Sequence, residues 1–199
     1  MKILKFTLCS LFAMFLLHSC GGNATHEGLT GRVTLEDCEG KMVYLETTGI
    51  TPLKIDSAVV KEGRFAFAFT DSVPQVYQLA LRPSQNDMFP IILPVVSEKG
   101  HIKVLMGERV LTSGTPLNDS LQDFLLAVSN FYDDAMKQEN LDMDQLKADF
   151  SKLVEGTVIQ NINTPVGVYV YKNYGDRLSD SQKEYILSHA NNGFKEAVK

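Results

Sequence analysis

The stretch DSAVVKEGRFAFAF, residues 56–69, decides the fold because it has the pattern of a β-hairpin. Two β-forming runs flank a turn at Glu62-Gly63, and Phe65, Phe67 and Phe69 recur at every second position. Side chains alternate between the two faces of a strand, so the three phenylalanines share one face. Burying each ring stabilises a fold by about 1.5–3 kcal/mol, which favours a core stripe over a ladder that stacks a ligand.

Similar short strands are predicted on both sides of this hairpin. They are rich in Val, Ile, Phe and Tyr, are separated by Gly, Pro, Asp and Ser, and cover residues 32–35, 42–46, 76–81, 89–96, 101–106 and 110–111. A parallel sheet needs a crossover helix after each strand, and no helix is predicted before Asn118. We therefore predict an antiparallel sandwich or open barrel over residues 28–114.

The hydrophobic period changes from two to about 3.6 after Thr115-Pro116. The first predicted helix ends near Met136, with Asn118 or Asp119 as its cap. Residues 141–162 form a second predicted helix, and residues 166–171 are predicted to be helical but could also be a strand. A last helix is predicted from the capping-box pattern at residues 179–182 to about Asn191, with Gly193 just beyond its end. The predicted class is α+β, with a helical segment over residues 115–199 that packs on or beside the β domain.

The N-terminus has the three parts of a secretory signal. Lys2 and Lys5 precede an apolar run, and Ser19 stands immediately before Cys20. Because a cysteine follows the cut, we interpret residues 1–19 as a lipoprotein signal peptide and Cys20 as the acylated N-terminus. An ordinary secretory signal with a coincidental cysteine is the alternative. The small, polar residues 20–27 would then form a flexible tether.

Composition excludes some partners. Apolar residues make up 44% of the chain and the formal charge is −5. Removal of residues 1–19 takes away two lysines and no acid, which lowers the charge to −7. A net acidic surface argues against nucleic acid and against electrostatic binding to anionic lipid headgroups.

Cys38 would be the one cysteine left in the domain, so no intramolecular disulfide is predicted. It stands in a turn among acidic residues, which makes it a poor nucleophile. It is a possible free thiol with a redox or intermolecular role, or an incidental turn residue.

No catalytic motif or metal-ligand spacing is present in the sequence, so we predict no enzyme activity, cofactor or metal. His18, His26, His101 and His189 do not have ligand spacing. Asp133 and Asp134 are adjacent, so on a helix they point about 100° apart and cannot share a site. Tyr169, Tyr171 and Tyr174 could contact a partner or ligand, although packing against the β domain is favoured.

Residues 55–67 resemble the hairpin D-S-A-x-V-x-x-G-x-F-x-F of a domain of unknown function. Residues 31–33 and 43–45 resemble its first hairpin, and residues 113–118 resemble its exit into helices. That domain stands at the N-terminus of Gram-negative envelope lipoproteins, ahead of a thioredoxin-like module of the thiol-disulfide interchange or peroxiredoxin type. The resemblance implies a sandwich-like domain followed by helices. The redox activity is not carried over, because the sequence has no Cys-x-x-Cys.

The sequence therefore predicts a non-enzymatic envelope lipoprotein that binds or scaffolds a partner protein, peptide or glycan. The alternative is an accessory to a separate thioredoxin-like oxidoreductase of the periplasm. The membrane contact would be the lipid on Cys20. The absence of an acidic run after Cys20 favours the outer membrane, with the domain facing the periplasm.

Overall fold

The computed structural model describes residues 27–82 and 89–199. The predicted signal peptide, Cys20 and nearly all of the predicted tether lie outside these residues. Eight strands are described, and they match the predicted order: β1 Gly28–Val33, β2 Met42–Thr47, β3 Lys54–Val59, β4 Arg64–Phe67, β5 Val76–Leu81, β6 Ile91–Val96, β7 His101–Met106 and β8 Val110–Ser113.

The strands form two four-stranded sheets that do not close into a barrel. Sheet 1 has the order β4-β1-β7-β8, and sheet 2 has the order β3-β2-β5-β6. One pairing departs from the predicted antiparallel pattern, because β1 and β7 run parallel from Gly28↔His101 to Val33↔Met106. The connection between them consists of strands, four of the other sheet and β4 of the same sheet, so the lack of a crossover helix did not exclude a parallel pair.

The two sheets pack face to face around an apolar core. Phe65 and Phe67 are each 5% exposed, which confirms the core stripe at these two positions. The Phe65 ring lies over Gly31, where any Cβ would meet the ring at 2.0 Å. Phe69 follows the end of β4 and stacks on Tyr77 with 6.2 Å between ring centroids.

Five α-helices follow the sandwich: α1 Pro116–Met136, α2 Met143–Gln160, α3 Pro165–Tyr174, α4 Asp180–His189 and α5 Asn192–Ala197. Residues 166–171 are helical, and the capping box at Ser179 and Gln182 is present. The prediction that α4 is the last helix is wrong. The Asn191 side chain accepts a hydrogen bond from the Phe194 amide and starts α5, so Gly193 lies inside a helix instead of ending one.

The helices build a second apolar cluster behind sheet 2. Its buried members include Phe124 of α1, Phe150 of α2, Val170 of α3 and Phe194 of α5, together with Val96 of β6. Sheet 2 thus packs on the sandwich core with its inner face and on the helices with its outer face. No helix in the described part of the chain is both long enough and apolar enough to cross a bilayer.

Asn118 connects α1 to the sandwich. The sequence had suggested that Asn118 caps the helix, and this prediction is wrong. The helix begins at Pro116, after Thr115. The Asn118 side chain is 0% exposed, donates to the Val96 carbonyl at 2.8 Å and accepts from the Val96 amide at 2.9 Å. It therefore satisfies β6 as a neighbouring strand would.

The first turn of α1 is capped from outside the helix. Oε1 of Glu98 accepts from the amides of Leu117 at 2.7 Å and Asn118 at 3.2 Å. These amides belong to the unpaired donors at a helix N-terminus, where negative charge is also favoured by the helix dipole. Asp119, the other predicted cap, accepts instead from the Gly114 amide at 2.8 Å.

Candidate functional site

Cys38 lies in the predicted turn, but its side chain is buried. It is 3% exposed and belongs to the sandwich core. It forms no disulfide with any residue of the described ranges. A buried thiol of this kind acts as a small apolar core residue and is shielded from a second protein.

The other candidate residues do not converge on a common site. Nε2 of His101 lies 2.7 Å from the Thr30 hydroxyl, and Nδ1 of His189 lies 2.8 Å from the Tyr185 carbonyl. Asp134 pairs with Lys137 at 2.9 Å on the exposed end of α1. Within residues 27–82 and 89–199, no three His, Cys, Asp or Glu side chains are grouped as metal ligands would be.

Tyr171 and Tyr174 make their ring contacts with other helices, whereas the sequence had favoured packing of the tyrosines against the β domain. Tyr174 makes edge contacts with Phe124 at 5.0 Å and with Phe150 at 6.2 Å between ring centroids. Tyr171 makes an edge contact with Phe194 at 5.6 Å. Tyr169 differs from these two because it also lines a cleft.

This cleft, which we call the α3–α5 cleft, has a volume of ≈ 930 Å³ and lies between sheet 2 and the helices. Its sheet side is formed by loop 48–50, segment 73–76 and Gln78, and its helix side by residues 163–165, 168–169, 172–173, 191, 193–194 and 197. It is an open groove large enough for a few residues of a peptide or for a small ligand.

Two helix corners hold the helix side of the cleft in place. Oδ1 of Asn163, at the corner between α2 and α3, accepts from the Asn191 amide at 2.8 Å, at the corner between α4 and α5. Asn163 has a φ of 69°, a left-handed conformation that asparagine tolerates better than most residues. The next residue, Thr164, caps α3 by accepting from the Gly167 amide.

The chemistry of the lining is that of a binding surface. Amide side chains come from Gln75, Gln78, Asn163, Asn173 and Asn191. Aliphatic side chains come from Ile50, Val73, Pro74, Pro165 and Val168, and Lys172 is the charged residue among the described lining. Amide groups can both donate and accept hydrogen bonds, which suits peptide groups or sugar hydroxyls.

The described lining contains no Asp, Glu, His or Cys, the side chains that most often act as general bases or nucleophiles. Burial raises the pKa of Tyr169 to about 12, and the neighbouring Tyr174 contributes in the same direction. The Tyr169 hydroxyl therefore stays protonated at neutral pH and can donate a hydrogen bond.

A smaller cleft of ≈ 450 Å³ lies at the other end of the sandwich, between β6, the β7–β8 turn and α1. Its lining carries both signs of charge, from Glu108, Arg109 and Asp133. The α3–α5 cleft is thus distinguished by size and by the absence of a carboxylate among its described lining residues.

Two sheets packed face to face, with helices behind one of them, define an open β-sandwich of the α+β class. Residues 28–121 match the family model described as "Domain of unknown function (DUF4369)". The match confirms the resemblance seen in the 55–67 hairpin. It extends into α1, so the Asn118 contact with β6 lies within the family unit. The setting in envelope lipoproteins stays a prediction.

No curated protein matches the chain. Among solved structures, the chain is similar to a crystal structure of (S)-allantoin synthase, with 13% sequence identity and a TM-score of 0.31. That match covers 46% of this chain and 45% of the other chain. A similarity at this level carries no argument about fold or activity.

Sequence reasoning missed the α3–α5 cleft because its lining residues come from separate segments. Each amide residue is unremarkable where it stands, and only the packing of α3 and α5 beside β5 brings these residues together. The run Asn191–Gly193 was also misjudged, because α5 was not predicted. The cap pattern of Asn191 with its donor three residues later was the available signal.

Proposed function

We propose that this chain is a non-enzymatic, lipid-anchored binding module of the cell envelope that uses the α3–α5 cleft to hold a partner. The anchor would be an acyl group on Cys20, most consistent with an outer-membrane protein that faces the periplasm. The N-terminal pattern from Lys2 to Cys20 supports the address, and the match of residues 28–121 to a domain family without assigned chemistry is compatible with it.

One observation carries the binding role. In a chain with a formal charge of −5, the larger described cleft is lined by amides, aliphatic groups and Lys172, without a carboxylate. Such a groove favours a neutral or acidic ligand that offers both donors and acceptors. An extended segment of an envelope protein or peptide has these properties, and an acidic glycan is the other ligand class that the lining suits.

The accessory role in thiol-disulfide chemistry has less support. A mixed disulfide through Cys38 would have supported it, and the burial of that side chain shields the sulfur from a partner. The absence of Asp, Glu, His and Cys among the described lining residues supports a binding role over a hydrolytic one.

Site-specific crosslinking tests the binding role. A photoreactive residue at Ile50 or Val73, both exposed and both in the cleft lining, should capture the same partner in intact envelopes. The same residue at Met136, which is exposed at the end of α1, should not capture it. Lys172→Glu should abolish capture at both cleft positions. Equal capture from all three positions, or capture that is unaffected by Lys172→Glu, would exclude the cleft as the binding site.

The anchor is tested separately. Mass spectrometry of the mature protein should find acyl chains on Cys20, and Cys20→Ser should release the protein from the membrane fraction. An unmodified N-terminus with a freely diffusing product would overturn the anchor and leave the crosslinking result unaffected.

A further inference from the structure

The outer face of sheet 1 gathers positive charge in an acidic protein. Strands β1, β4, β7 and β8 contain no Asp or Glu. Their Lys and Arg residues are Arg32, Arg64 and Lys103, and all three are exposed on the side opposite the core. We call these three residues the basic face. The net charge of the chain conceals this local distribution.

The strand register brings the cations together. Arg32 of β1 stands directly opposite Arg64 of β4, and Lys103 pairs with Thr30, two residues along β1. An isolated bridge places Lys61 beside Arg64. Glu39 and Glu62 lie beyond Arg64 at the turn, where the Glu39 carboxylate accepts from the amides of residues 62 and 63.

The basic face has no compensating partner within residues 27–82 and 89–199, since none of its three residues forms a described ion pair. Like charges directly opposite each other on a strand pair reduce stability. The repulsion between these cations lowers the stability of the fold, and an anion bound from outside would relieve it. Functional surfaces often depart from the most stable arrangement in this way.

The shape of this surface indicates an extended partner. The outward positions between the cations are the small residues Thr30, Ala66 and Ser113 and the partly exposed Leu105, which stands opposite Arg32, so the cations stand on a sheet surface without a pocket. Neither of the two described clefts includes any member of the basic face. A sheet of phosphate groups fits such a surface better than one small anion does.

The segment from Cys20 to Gly28 connects sheet 1 to one particular surface that carries phosphate groups, the membrane leaflet that would hold the acyl group of Cys20. Eight Cα–Cα steps lead from Cys20 to Gly28, and at about 3.4 Å per step they reach at most about 27 Å. Gly28 begins β1, the strand that carries Arg32. We propose that the basic face lies on the anionic phosphate headgroups of the leaflet that holds Cys20. The identity of that leaflet rests on the proposed lipid anchor.

This placement orients the molecule. The α3–α5 cleft lies on the outer side of sheet 2, because Val76 and Gln78, which line it, alternate with the sandwich core residues Tyr77 and Leu79. The basic face and the cleft are therefore on opposite sides of the sandwich. With sheet 1 on the leaflet, the cleft opens away from the membrane toward a partner.

Vesicle binding tests the proposal on the predicted mature chain, residues 20–199 with Cys20→Ser, so that neither acylation nor the apolar signal contributes. The protein should sediment with vesicles of phosphatidylcholine and phosphatidylglycerol, but not with vesicles of phosphatidylcholine alone, and added salt should weaken the binding. The variant Arg32→Gln/Arg64→Gln/Lys103→Gln should lose on the order of 100-fold in affinity, since each cation near an anionic surface contributes measurably.

A matched variant distinguishes the effect of the basic face from the effect of a change in net charge. Lys137→Gln/Lys147→Gln/Lys152→Gln makes the same change in net charge at exposed i, i+3 pairs of the helices. It should keep vesicle affinity within a few-fold. Equal losses in the two variants, or equal binding to both vesicle types, would overturn the proposal.

Two further measurements keep the test decisive. Tighter binding to soluble polyglutamate than to the anionic vesicles would assign the basic face to an acidic polymer and overturn the leaflet. The urea midpoint of the variant Arg32→Gln/Arg64→Gln/Lys103→Gln should equal or exceed that of the parent, which shows that lost vesicle binding is not lost folding. Failure of the cleft crosslinking would contradict the proposed binding role of the α3–α5 cleft and would leave the vesicle results unchanged.

Discussion

Sheet 2 meets the helices in two different ways. At α1 the contact is closed: Asn118 is fully buried, and its amide group satisfies both backbone groups of Val96. At α3 and α5 the contact is left open as the α3–α5 cleft, whose polar side chains face an accessible space. The comparison indicates that the first contact holds the fold together and that the second is free to bind.

Asn118→Leu should give the largest effect, because it leaves the amide and carbonyl of Val96 buried without partners. Each such group costs about 1–3 kcal/mol, so we expect the free energy of unfolding to fall by about 3 kcal/mol or more. Urea denaturation followed by circular dichroism measures this loss.

Asn173→Leu is the matched control in the open contact. The Asn173 side chain is exposed and donates within its own helix, to the Tyr169 carbonyl at 2.7 Å. Its replacement should change the free energy of unfolding by less than about 0.5 kcal/mol. Similar losses for the two asparagines would remove the distinction between the closed and open contacts.

Alkaline pH should weaken the helical cluster next most strongly. The unfolded chain releases the Tyr169 proton near pH 10.0, whereas burial raises the pKa of Tyr169 in the folded protein to about 12. Above pH 10 the folded state binds more protons than the unfolded state, so stability falls as pH rises through this window, by on the order of 2 kcal/mol.

The tyrosine effect can be isolated with Tyr169→Phe. Burial also raises the pKa values of Tyr171 and Tyr174, so part of the alkaline loss will persist in this variant. Urea midpoints between pH 8 and pH 11.5, roughly the window set by these pKa shifts, should decline less steeply in Tyr169→Phe. Identical pH profiles for the variant and the parent would contradict the burial of this hydroxyl.

Glu98→Ala should have a smaller effect at the closed contact. It removes the acceptor of the Leu117 and Asn118 amides, and loss of a helix cap typically costs about 1 kcal/mol. Hydrogen exchange should increase at these two amides and leave the middle of α1 unchanged. Unchanged exchange at both amides would show that another group caps α1 in solution.

Lys172→Ala should leave stability unchanged to within about 0.5 kcal/mol, because no described residue forms an ion pair with it and it lies on the surface of α3. Its effect should be on partner capture at Ile50 and Val73. A clear loss of stability would show that the cleft residues support the fold and would weaken their assignment as a binding surface.

The sequence predicted the periodic elements well and the contacts between elements poorly. The alternation of Phe65 and Phe67 and the helical spacing from Leu117 to Phe131 are local patterns, and both appear in the structure. The parallel pairing of β1 with β7 depends on which strands meet across 73 positions, and no local pattern encodes it.

The role of Asn118 shows the same limit at the level of one residue. Its position near the start of a helix suggested a cap, whereas tertiary packing uses its amide to complete β6. The cleft lining and the basic face are likewise products of packing and register. Cys20 lies outside the described residues, and its acylation stays a prediction.

The position of β1 inside sheet 1 has a consequence for how the chain reaches its native state. β1 is the first strand to be synthesised, yet it is a central strand whose neighbours, β4 and β7, are made later. Closing a loop from residue 28 to residue 101 carries an entropic cost before any pairing rewards it. Such non-local pairing slows folding, and sheet 1 cannot be completed until β7 has been synthesised.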